Sequence, residues 1–180
     1  MRTKLKMKPH RVVLLLTGGL LCGAGPAEAH DGQVRFTGAL TTASCVVDPA
    51  DSNQVVQLGN IPSAQFSASG DKSPARDFNI DLTECPASIG SVLAKFDGVS
   101  DPVNASLLGL DKYSGATSVA VEIAEKDGTP VPLHNASRDV TVDATTHAAT
   151  LSFLARYVAT ASSVGVGTAV ATSQFTLNYN

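Results

Sequence analysis

The sequence predicts an all-β fold, and three observations carry that expectation. Short runs of alternating apolar and polar residues recur along the chain. Clusters of Gly, Pro, Asn and Asp separate them, and beyond residue 29 no stretch keeps the 3.6-residue period of an amphipathic helix. Several short strands at this spacing indicate a sandwich or a barrel. No linker, repeat or low-complexity block divides the chain, so one domain is expected.

The opening residues set the compartment. Arg2, Lys4, Lys6, Lys8 and Arg11 make a basic region, residues 12–21 are apolar, and Ala27-Glu28-Ala29 is an A-x-A cleavage signal. An apolar run of about ten residues is too short to span a bilayer as a helix. Residues 1–29 therefore read as an export signal removed after Ala29, taking Cys22 with it. The remainder carries eight Lys and Arg against fifteen Asp and Glu, a net charge of −7. That balance argues against nucleic acid or anionic lipid as a partner, since both attract basic surfaces. Cys45 and Cys85 survive processing. In an oxidising compartment they are most simply a disulfide; two free thiols or a metal site would be the alternatives, and further ligands are lacking nearby. Closing a loop of that size stabilises a fold by roughly 4 kcal/mol in the chain-entropy model.

Strands are expected at 33–40, 44–47, 54–58, 77–83, 91–96, 117–123, 150–159 and 169–179. In the first, Val34, Phe36, Gly38 and Leu40 share one face. In 77–83, Phe78, Ile80 and Leu82 alternate with Asn79 and Asp81. In 150–159 the apolar face is Leu151, Phe153, Ala155 and Tyr157, although Leu154 and Val158 break the pattern. The last run puts Phe175, Leu177 and Tyr179 on one face, continued backwards by Ser173, Ala171 and Ala169 and opened by Gly167. Turns are expected at Asp48-Pro49, 59–62, 69–71, Asp97-Gly98, Asp101-Pro102 and Asp127-Gly128. An alternating run that reaches Asn180 suggests a strand gripped from outside, because chain ends are usually frayed and polar. With a strand-like segment near each end, the chain suits pairing between molecules.

No reaction emerges from the residues. His134 and His147 lie in polar, turn-like surroundings without the paired spacing of a metal site. There is no Gly-x-Ser-x-Gly elbow, and with both remaining cysteines paired no thiol nucleophile is left. Gly165-Val166-Gly167 lacks the third glycine and following helix of a dinucleotide fingerprint. Catalytic residues, metal ligands and cofactors are therefore not expected.

An ordered set of features covers the chain after the signal: Val34-x-Phe36-x-Gly38-x-Leu40, then Ser44-Cys45-Val46-Val47-Asp48, then Val56-x-Leu58-Gly59 and Phe66. Phe78-x-Ile80-x-Leu82-x-x-Cys85, Val92-x-Ala94-x-Phe96-x-Gly98 and a Tyr179-x end follow. In this order it resembles a fimbrial subunit, or pilin, of the chaperone–usher pathway, of the type 1 or P-pilus kind. The resemblance implies an incomplete immunoglobulin-like sandwich lacking its last strand, completed by a donor strand from a periplasmic chaperone and then from a neighbouring subunit. It divides the chain into a signal (1–29), a donor-strand extension (30–41) and a pilin domain (42–180). Val34, Phe36, Gly38 and Leu40 would fill a neighbour's groove, with Gly38, seven residues before Cys45, at a constriction. Gly167, Phe175, Leu177, Tyr179 and Asn180 would form the terminal strand that binds the chaperone, the Asn180 carboxylate anchoring in a basic cleft. The implied partners are the chaperone, an outer-membrane usher and other pilin subunits, and the implied destination, through the periplasm, is a fimbrium at the cell surface. The implied role is structural, in the shaft and in support of adhesion, although the stretch before Val34 is short for a major shaft pilin. A minor tip or adaptor subunit is the near alternative. A secreted β-sandwich binding module is the alternative of another class, and it would stay soluble without a chaperone.

Overall fold

Alternation at period two builds strands that bury one face, and the protein closes two such sheets on each other. The computed structural model describes residues 34–38 and 44–180, and the chain divides into two units, 1–40 and 41–180. Seven strands make up the second unit: β1 (Val46–Val47), β2 (Arg76–Thr83), β3 (Ser91–Gly98), β4 (Val119–Glu125), β5 (Val140–Thr141), β6 (Ala149–Ala159) and β7 (Ser173–Tyr179). One sheet runs β1-β2-β6-β4 and the other β5-β3-β7, with every pairing antiparallel.

The core sits where the predicted apolar faces meet. Ile80 and Leu82 of β2, Leu151 and Phe153 of β6 and Val92 and Ala94 of β3 are almost wholly buried. Phe78 pairs across the ladder with Phe153. Phe96 of the opposite sheet meets both, 6.0 Å from Phe78 and 5.0 Å from Phe153, edge to face in each case. Such aromatic pairs add about 0.5–1.5 kcal/mol each beyond the area they bury. This cluster fixes the sheet separation beside β7, because Phe96 is also the ladder partner of Phe175.

β4 shows no alternation, since all of its residues but the last are buried. Val121 and Ile123 face the main core. On the outer face Ala120 packs with Leu107 and Val158 in a second small cluster, which explains why Val158 breaks the pattern of β6. Glu122 on that face is buried yet ionically paired: Lys72 Nζ lies 2.8 Å from its Oε2, and Arg156 Nε donates to Oε1 at 2.7 Å. Burying a carboxylate without such partners would be strongly unfavourable.

Three expectations are corrected. Residues 54–58 keep the alternation, with Val56 and Leu58 half-buried against the core, but pair with no strand among the described residues. Asp97-Gly98 is no turn: both residues stay on β3, opposite Gln174 and Ser173, because the chain needs the added length to match β7. The terminal strand starts at Ser173, so Gly167 lies outside it. Residues 165–170 are held instead by 111–117, through Ala116 N to Thr168 O at 3.0 Å and Asp111 N to Val170 O at 2.7 Å. β5, two residues long, carries no sequence signal at all.

Cys45 and Cys85 are joined by a disulfide, at the start of β1 and just past the end of β2. Replacing both by Ser should destabilise the folded domain by about 2–5 kcal/mol, read from denaturant unfolding of the domain held complete by an added strand. A second test concerns the β4 hairpin turn. Arg138 Nη1 donates to Asp127 Oδ2 at 2.6 Å and Thr129 N to Oδ1 at 2.9 Å, and these bonds hold the Asp127 carboxyl down at about 2. A depressed folded pKa stabilises above the ordinary carboxylate range and loses that contribution as pH falls towards 2. The stability difference between wild type and Asp127→Asn should therefore be constant above about pH 5 and shrink from pH 4 to 2 in thermal unfolding scans.

Candidate functional site

β7 has a neighbour on one side only. Among the described residues it pairs with β3 alone, at the edge of its sheet. Ser91 and Asn180 exchange both backbone hydrogen bonds, at 3.1 and 2.9 Å. Hydrogen-bonded and non-hydrogen-bonded pairs alternate along an antiparallel ladder. Asn178, Thr176 and Gln174 therefore also bond to β3, whereas the N–H and C=O groups of Phe175, Leu177 and Tyr179 point away from it, to the open edge. The side chains of the same three residues turn inwards and stay only half-buried, while Gln174, Thr176 and Asn178 are exposed.

The half-buried apolar residues packed on the core fall mainly into two runs. Ala171, Phe175, Leu177 and Tyr179 belong to β7 and its approach; Val47, Val56 and Leu58 follow from β1 at the edge of the other sheet. The two edges meet at one end, where the Cys45 backbone approaches the Tyr179 phenol. Burial raises the pKa of that phenol, and the nearby Cys45 backbone opposes the rise. One oxygen at the end of Asn180 accepts from Gly90 N at 2.8 Å and from Ser91 N. The result is an open seam between the sheets, apolar on its floor and carrying a row of backbone donors and acceptors along one rim. A strand laid along it would gain both, so the geometry recognises an extended chain with alternate apolar residues.

The first unit presents such a chain. Residues 34–38 form no hydrogen-bonded strand and are all exposed, with Val34 77% and Phe36 91% accessible. Gly38 is among them; Leu40 lies outside the described residues.

The histidines occupy turns with left-handed backbone, at φ 67° for His134 and 53° for His147. His147 Nδ1 donates to Cys85 O at 3.1 Å. His134 forms a row that sequence spacing did not reveal: Nδ1 lies 2.8 Å from Asp97 Oδ1 and Nε2 3.3 Å from Ser100 Oγ. The connectivity is that of a nucleophile relay, but Lys95 Nζ shares the same carboxylate oxygen at 3.0 Å. The row ties the end of β3 to the 134 turn.

Comparison with known proteins agrees with this geometry. A family described as Fimbrial protein matches residues 34–180. The chain is 34% identical over 168 residues to a probable major fimbrial subunit, LpfA, of Escherichia coli O157:H7, covering 92% of each chain. It is 35% identical over 166 residues to a type-1 fimbrial protein subunit of Serratia marcescens, covering 87% of this chain and 91% of that one. In structure it is similar to the P pilus rod subunit PapA, with a TM-score of 0.64 at 20% identity, over 76% of this chain and 99% of that one.

The seam makes its own prediction. Leu177→Asp puts a charge on its apolar floor and should weaken binding of a peptide carrying residues 30–43 by about 2 kcal/mol, roughly thirtyfold. Asn178→Asp, one residue along but on the outer face, should leave binding unchanged in the same calorimetric titration.

Proposed function

The chain belongs to the fimbrial protein family, and from that membership we propose that it is a shaft subunit joined to its neighbours by donor-strand exchange. Its fold is the immunoglobulin-like pilin sandwich lacking its last strand, and its role is structural, in a cell-surface fimbrium.

The observation that carries the proposal is the β7 edge. Among the described residues Phe175, Leu177 and Tyr179 leave their backbone groups unpaired on the outer side and part of their apolar surface uncovered. Open edges and exposed apolar clefts invite aggregation unless they are covered. The alternating segment Val34, Phe36, Gly38 and Leu40 supplies what the seam of another copy lacks. A shaft subunit needs a segment to give and a seam to receive, and this chain carries both. The rod subunit among its structural neighbours and the major subunit among its relatives favour the same position.

Export by the 1–29 signal delivers the chain to the periplasm with its seam open. There a chaperone covers the edge by lending a strand along Phe175, Leu177 and Tyr179, an usher receives the complex, and the next subunit's 30–41 segment replaces the chaperone. Gly38 faces a narrow part of the seam during that replacement.

Gly38→Leu separates this reading from an ordinary first strand within the domain. Overpacking costs about 1–3 kcal/mol at a site, and in a fibre it recurs at every junction. The variant should be recovered with its chaperone at wild-type yield but form few or no fibres by electron microscopy. Normal fibres from Gly38→Leu would refute the donor-strand assignment.

A further inference from the structure

Among the large apolar side chains that the second unit leaves in water, besides Val46, Val55 and Val103, four lie on or beside two segments that are tied together. Tyr113 is 90% exposed, Val166 79%, Val99 73% and Val170 56%. Tyr113 lies in the 111–117 segment and Val166 and Val170 in the 165–170 segment, which are tied together. Asp111 and Ser114 hold Val170, Thr168 Oγ1 accepts from Gly115 N at 3.1 Å, and Tyr157 Oη donates to Ala169 O at 2.7 Å. The two backbones cross in contact at Gly115 and Gly167, where a Cβ on Gly167 would stand 2.3 Å from the Gly115 carbonyl carbon. This is a braced lobe, so its apolar tips cannot fold back to cover themselves. Val99 lies beside it, since Gly98 stands opposite Ser173 and a Cβ added there would come 3.1 Å from Thr172 O.

The other end of β3 and β7 is about 24 Å away, at roughly 3.4 Å per residue. There Gly90 N reaches Asn180 O and Val142 N reaches Gly90 O, around an apolar recess lined in part by Pro86, Ala87, Ile89, Val142 and His147. The Cys45–Cys85 bridge adjoins it, because Cys85 N donates to His147 O at 2.9 Å.

We propose that the Tyr113–Val166–Val170 lobe of one subunit seats the Cys45–Cys85 end of the next, with the recess beside Pro86 and Ile89 receiving the lobe. The proposal rests on donor-strand exchange and adds a contact between bodies to it. Every pairing in the domain is antiparallel, and a donor that adds to β7 in the same sense runs from the Asn180 end to the Ser173 end. It therefore leaves the seam beside the lobe. From Leu40 to Cys45 is five residues, at most about 17 Å of chain at full stretch. That tether holds the donor's Cys45 end within reach of the lobe. Lobe and recess occupy opposite ends of each subunit, so the contact is heterologous and repeats without closing, as a fibre requires.

Cysteine substitution tests this. Fibres of the Val166→Cys, Ala87→Cys double variant, treated with a short bismaleimide, should give a ladder of covalent multimers that survives boiling in detergent; neither single variant should. Independently, Tyr113→Ser with Val166→Asn should leave the chaperone-bound yield unchanged and shorten fibres several-fold under shear. Fibres that assemble normally yet give no ladder, or double-variant fibres as long and shear-resistant as wild type, overturn the proposal. If wild-type subunits form no fibre at all, it is donor-strand exchange that fails, and this contact with it.

Discussion

One-sided pairing of β7 is the constraint on which the rest depends. The strand is held by β3 through a full antiparallel ladder and packed on the Phe78–Phe96–Phe153 cluster, so it is well enough ordered to act as a template. Its outward row of backbone groups is the most strongly directional unpaired feature of the sandwich. Had β7 been a central strand, the seam would be closed and the chain a free-standing domain. Had it been unpaired on both sides, nothing would hold the three inward side chains in register.

The β4 and β5 borders contrast with that edge. Beside β4, Leu108 bonds to Val121, Pro130 bridges to Ala124 and Val131 donates to Ile123. Beside β3, short β5 is continued by Ser137, which donates to Ala94 O and accepts from Ala94 N through its hydroxyl, and by His134 at Phe96 O. Loops cap these edges piece by piece, a common way of blunting them. The β7 edge is not capped in this way among the described residues, and its covering can come from another molecule.

What the sequence disclosed follows from which residues have one wet face. β2, most of β6 and the β7 triad Phe175, Leu177 and Tyr179 alternate because one side meets core and the other meets water or polar neighbours. β4 could not be read so, because Glu122 is sheltered by Lys72 and Arg156 and Ala120 by Leu107, contacts made by residues far apart in sequence. β5 has too few residues for a period, and the start of β7 is not legible because Ala169 and Ala171 keep the alternation while Val170 and Thr172 bond to Asp111 and Ser114. At the candidate site the side-chain face was legible in Phe175, Leu177 and Tyr179. Which edge would lack a partner was not, since that is a property of sheet order and not of any residue.

The disulfide has a mechanical meaning. Tension entering the domain at Ser44 meets a covalent shortcut after a single residue and passes through Cys45 to Cys85, whose positions differ by 40 in sequence. The intervening stretch, with β1, the 54–58 edge and β2, is bypassed by the load. Fully drawn out, it would contribute roughly 140 Å of contour at about 3.5 Å per residue, and the bridge withholds all of it. Under pull such a subunit is short and stiff, and only the segments outside the loop are free to yield.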